Sequence, residues 1–155
     1  MKPNSRHLCL SLSVALNSSY IMELHFNIIG VLLVGLALIH VVFPKYFSWK
    51  QELGPLSIMN RQMMYIHSFF IAFVVLLMGL LCLTSSNDLT ETPFGRKVSL
   101  GLGIFWVVRL FVQLFGYSPK VWKGKTFETA VHILFSILWI YFSTVFFLTY
   151  FSDGH

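Results

Sequence analysis

Three observations predict an all-α integral membrane protein, a four-helix up-and-down bundle built as one domain. The chain is 56% hydrophobic and only 11% charged, where a soluble domain carries about a quarter charged residues. It contains four apolar runs, each long enough to cross the ~30 Å hydrocarbon layer as a helix. The connections between these runs are short, so successive helices must alternate in direction.

Composition narrows the function classes. Sixteen Phe, six Tyr and four Trp suit a lipid-facing wall with aromatic belts. The net charge of +5 sits in short loops beside apolar runs. That is the pattern of membrane orientation, and it leaves no basic patch for nucleic acid. Cys9 and Cys82 form neither a paired motif nor a zinc spacing, and Cys82 reads as core filler.

Residues 1–21 read as a signal-like or spurious extension ahead of the membrane domain, residues 22–155. Lys2, Arg6 and His7 precede nine mostly apolar residues, Leu8 to Leu16, followed by Asn17-Ser18-Ser19. This is the shape of a signal peptide, too short to span a bilayer. Met22 leads straight into a complete helix and reads equally well as a start. Both alternatives stand.

The first span is expected over residues 22–43, with Asn27 near one end, His40 near the other, and Pro44 as its stop. Loop one carries Lys45, Trp49, Lys50, Glu52 and Arg61, turns at Gly54-Pro55, and offers Ser57 as a cap for the second helix. The second span, 63–83, contains no formally charged residue, and His67 and Ser68 are its only clearly polar side chains. Thr84-Ser85-Ser86-Asn87-Asp88 reads as a polar loop and Thr92-Pro93-Phe94-Gly95 as a turn. The third span, 98–117, closes at Tyr117-Ser118-Pro119, and Lys120, Lys123 and Lys125 fill loop three. Thr126 is placed to cap the fourth span, 127–151, with Glu128 in its first turn, where the helix dipole favours an acid. Gly35, Ser68, Ala72, Ser99 and Gly103 are the small residues expected at helix contacts. Pro44-Lys45 with Trp49-Lys50 is echoed by Pro119-Lys120 with Trp122-Lys123. Shared interface chemistry accounts for the echo more simply than a duplicated hairpin.

Six Lys and Arg residues lie in loops one and three, against four on the other side. The positive-inside rule then puts loops one and three in the cytoplasm and both termini outside. The location implied is a bacterial inner membrane, with the lipid bilayer as the chain's immediate partner.

The polar residues of the spans gather toward one face. His40 lies four residues before Pro44, His67 four after Met63, His132 four after Glu128, and Gln113 four before Tyr117. Four residues of helix rise about 6 Å, so alternation places all four just inside the face of loops one and three. The opposite half is almost bare, with only Glu23, His25 and Asn27, and His25 is expected to matter less. Arg109, twelfth of the twenty residues 98–117, is the costliest member, at roughly 2.5–3.5 kcal/mol on insertion scales. It should face the interior or snorkel toward loop three, with Gln113 one turn on as a neighbour.

Each residue has a plain structural account: a histidine near a helix end bonds a carbonyl or headgroup, and a glutamine joins helices. Their convergence opens three others. His40, His67, His132 and Glu128 are candidate ligands for zinc, iron or copper, and two of the histidines for haem. Arg61, Gln62, His67, Arg109 and Gln113 are candidates for a polar layer or for holding a small-molecule or lipid ligand, and an anionic ligand such as a lipid headgroup is a further option for Arg109, Arg61 and the histidines. No acid is placed to orient a histidine beside a nucleophile, so triad catalysis has no support.

The pattern His-x-x-x-Pro (His40, Pro44), Arg-Gln-x-x-x-x-His (Arg61, Gln62, His67) and Arg-x-x-x-Gln (Arg109, Gln113) resembles one in small four-helix bacterial membrane proteins of unassigned function. The resemblance covers most of the chain and implies no activity. DoxX-like proteins share the four-span layout without a specific motif. Two classes of function remain: a binding or accessory membrane protein, or a haem- or metal-dependent membrane redox protein using His40, His67 and His132. The fewness of the ligands favours the first.

Overall fold

The structure, a computed structural model, describes residues 5–116 and 126–152, with side chains from residue 19 onward. It is all-α, with no β-strand among the described residues. Helix α1 runs Ser5–Tyr46, α2 Trp49–Glu52, α3 Ile58–Thr84, α4 Ser86–Glu91, α5 Pro93–Phe111 and α6 Thr126–Phe151. A π-helical turn, Val112–Gly116, continues α5. Four segments are long and apolar enough to cross a membrane: Ser19–Tyr46, Ile58–Thr84, Pro93–Gly116 and Thr126–Phe151. These are the four expected spans, each lengthened at one or both ends. Tyr117-Ser118-Pro119 and the lysines and Trp122 of loop three lie outside the described residues.

Two boundaries differ from expectation for local reasons. Pro44 does not stop the first helix, which continues to Tyr46. Proline removes the bond its own N–H would have given to the His40 carbonyl and crowds that carbonyl, yet the turn continues with Phe47 N–H donating to Phe43 O at 2.9 Å. The stop is Ser48, in the left-handed region at φ 48°, a conformation that ends helices because the chain reverses there. The third membrane helix begins at Pro93, five residues before the expected 98. Thr92 is its N-cap, accepting from Gly95 N–H at 2.9 Å, with proline at the first position, where a missing N–H costs nothing. The polar stretch before it is the short helix α4 rather than an open loop. The α4–α5 corner is tight: a Cβ on Gly95 would collide with the Asp88 carbonyl. Ser57 does cap α3, accepting from Asn60 N–H at 3.3 Å.

The chain divides into two compact units, Phe26–Ser86 and Met1–His25 with Asn87–His155. In the first unit, α1 and α3 form a hairpin whose backbones touch at two glycines. A Cβ on Gly30 would lie 3.0 Å from the Gly79 carbonyl, and one on Gly79 would lie 3.0 Å from the Gly30 carbonyl. Gly35, expected at such a contact, faces open space instead. Cys82 is fully buried, as core filler should be. In the second unit α5 and α6 run antiparallel, with Gly103 against Phe146 and Phe147 and with Trp106 stacked on Trp139. Ser99 is fully buried and donates to Leu89 O at 3.3 Å.

The glycine crossing predicts a contrast within one helix. Gly30→Val and Gly79→Val should each destabilise by about 1–3 kcal/mol through overpacking, measured as thermal unfolding in detergent. Gly35→Val, in the same helix as Gly30 but at no contact, should leave the midpoint near wild type.

Candidate functional site

The second unit holds the chain's costliest group. Arg109 lies in the last turn of α5, just before the π turn that continues the helix. Its Nη1 donates to Gln113 Oε1 at 3.1 Å, the pairing that four-residue spacing on a helix permits. The guanidinium carbon lies 5.4 Å from the centre of the Trp139 ring, within cation–π range. Arg109 makes no ion pair with any described residue.

The π turn prepares the other half of the centre. It accommodates an extra residue in the turn and so rotates the residues after it around the helix surface, and Gln113 is buried within it. The Gln113 backbone carbonyl accepts from His132 Nε2 at 3.0 Å; a carbonyl only accepts, so that ring nitrogen carries the proton. Thus Gln113 binds Arg109 through its side chain and His132 through its main chain. Glu128, one helical turn before His132, is exposed and engaged in an interaction of its own.

Beneath the guanidinium lies an aromatic stack. The Trp106 and Trp139 ring centres are 4.7 Å apart at 16°, with Phe142 edge-on to both and Phe135 stacked on Trp139. Both indole N–H groups are buried and have no hydrogen-bond partner among the described residues. The sequence offered no signal for these donors, because tryptophans in an apolar span read as lipid-facing or core residues.

The remaining candidates belong to the first unit. His40 Nδ1 lies 2.8 Å from Leu36 O and His67 Nδ1 lies 3.0 Å from Met63 O, each on its own helix. Both rings are therefore protonated at Nδ1, and in the neutral ring Nε2 is the acceptor. With Gly30 facing Gly79, ten residues onward on α1 brings His40 level with residue 69 of α3. His67 lies about 3 Å from that level. Arg61 is half-buried in the first turn of α3 and Gln62 is exposed. Among the described residues, neither unit gathers three His, Cys, Asp or Glu side chains able to hold a metal ion. The four metal-ligand candidates divide two and two between the units.

The half of the spans away from Arg109 also holds a cross-helix contact, at His25. Its Nδ1 hydrogen-bonds the Tyr141 hydroxyl at 2.9 Å, joining α1 to α6. No family model, curated protein or solved structure matches this chain.

The His25–Tyr141 bond should appear as a coupling. Tyr141→Phe and His25→Phe should each lower stability. The double variant should lose less than the sum, by roughly 0.5–1.5 kcal/mol in a double-mutant cycle. Strict additivity would mean the bond contributes nothing.

Proposed function

We propose that the chain is an integral membrane protein of the binding or accessory class, with Arg109, Gln113 and His132 as the core of its ligand site. The observation that carries this reading is a charge that no described residue compensates. An arginine within a span is expensive, functional by default, and ordinarily paired, yet Arg109 has a neutral amide and an aromatic face as its partners. A group that is fixed in place but incompletely partnered suits recognition better than scaffold. Arg61, Gln62 and His67 make a second, more exposed set at the mouth of α3 and belong to the same proposal.

A second reading, a haem- or metal-dependent redox protein, draws on His40 and His67. A ring held through Nδ1–H by a carbonyl presents Nε2 as a ligating lone pair, the orientation that metal-bound histidines adopt. The two histidines lie at nearly one level of their hairpin. His132 differs, since its Nε2 is already bonded to Gln113 O.

One preparation separates these. The purified wild-type chain should show neither a Soret band nor stoichiometric metal, and native mass spectrometry should find a bound mass that Arg109→Leu abolishes. A Soret band or stoichiometric metal lost in His40→Ala and His67→Ala would replace the first reading with the second.

The proposed setting is a bacterial inner membrane with both termini outside, supported by the excess of Lys and Arg in loops one and three. A cysteine introduced at Asn87, between the second and third spans, should react with an impermeant maleimide added from outside. Labelling only from the cytoplasm would reverse the orientation.

A further inference from the structure

Resting on that binding reading, we propose that the ligand is an oxyanion, the phosphate of an anionic lipid headgroup, recognised by a centre in which donors outnumber acceptors and both Gln113 oxygens are already engaged. Arginine presents five N–H donors and accepts nothing, and one is taken, by Gln113 Oε1. That bond uses the Gln113 side-chain oxygen and turns its NH2 group into two further donors without a partner among the described residues. The indole N–H groups of Trp106 and Trp139, 1% and 3% exposed, add two more unpartnered donors in the same stack. His132 contributes a donor as well, already given to Gln113 O. A surplus of this kind, in a medium that cannot supply acceptors, selects a ligand made of acceptors. A phosphate or carboxylate is such a ligand, and the guanidinium fork matches its geometry with two parallel bonds.

Depth chooses between sources of that oxyanion. The guanidinium reaches along the helix to Gln113, three residues from Gly116, where the π turn ends. With the membrane edge at the expected close of the span, Tyr117-Ser118-Pro119, about 6 Å of helix separates Gln113 from that edge, which would put the charge just beneath the headgroup layer. A lipid phosphate already resides at that boundary and needs no transfer from water. A free phosphate would surrender its hydration to reach the same place.

The test uses the full chain in non-ionic detergent, with intrinsic tryptophan emission as readout because Arg109 lies over Trp139. The probes are short-chain phosphatidylglycerol, phosphatidylcholine of the same chain length, and inorganic phosphate. Phosphatidylglycerol should give a saturable change that phosphatidylcholine gives far more weakly. Arg109→Leu should weaken it by roughly ten- to a hundred-fold, the loss expected for charge-assisted bonds. Arg109→Lys keeps the charge without the fork, and should fall between the two. It also serves if Arg109→Leu does not fold, as judged by circular dichroism. Gln113→Leu should weaken binding too. Saturation by inorganic phosphate with the same Arg109 dependence would keep the oxyanion and move its source to a free anion. Equal response to both lipids, or equal affinity in wild type and Arg109→Lys together with Gln113→Leu, would overturn the proposal. An uncharged mass bound in an Arg109-dependent way would also overturn it, while the binding role would stand.

Discussion

Within the apolar spans no side chain can turn to water for a hydrogen bond, and most polar groups here answer that constraint locally. Thr84, Ser136, Ser143, Thr144 and Thr149 all donate to the carbonyl four residues back on their own helix. His40 and His67 do the same through Nδ1. Such bonds satisfy the group without committing one helix to another. His25 and His132 break the pattern by reaching a second helix. With Ser99, which donates from α5 to Leu89 O of α4, they carry information about how the second unit is assembled.

Arg109 cannot be satisfied by one carbonyl, and magnitudes show why it is tolerated. At the bilayer centre its insertion would cost roughly 2.5–3.5 kcal/mol, and nearer the headgroups less. A desolvated cation–π contact returns about 2, and a hydrogen bond from a charged group about 1.5–3. These nearly balance, so the helix pair needs no buried acid to retain the arginine. What the balance leaves over is directional: bonds the guanidinium is able to form and does not make with any described residue. The π turn contributes by burying Gln113 where it serves two partners at once.

Composition and length alone made the four spans legible, because twenty apolar residues in succession admit few other structures. The Arg109–Gln113 pair was legible from spacing, and the Ser57 cap from residue type. Other features were not. The π turn changes hydrogen-bond register without changing hydrophobic pattern. The start at Pro93 depends on Thr92 capping and on a glycine three residues later, a combination that also reads as a turn. The glycine crossing could not be assigned to Gly30 and Gly79 over Gly35, since small size marks eligibility for contact and not its occurrence. Tyr141 was missed because a hydroxyl on an aromatic ring adds little to an apolar window.

The contact between Gly30 and Gly79 bears on how the first hairpin comes apart. Helices in lipid gain little from hiding apolar surface, since the surrounding chains are equally apolar. The attraction between these two is therefore dispersion and close-range polar contact between backbones. Dispersion forfeits a quarter to a half of its strength over a gap of about 0.5–1 Å. A force of such short reach does not weaken gradually as helices drift. The pair is either in register and touching or effectively free, so the hairpin should open as a single event, with no loosely associated form in between.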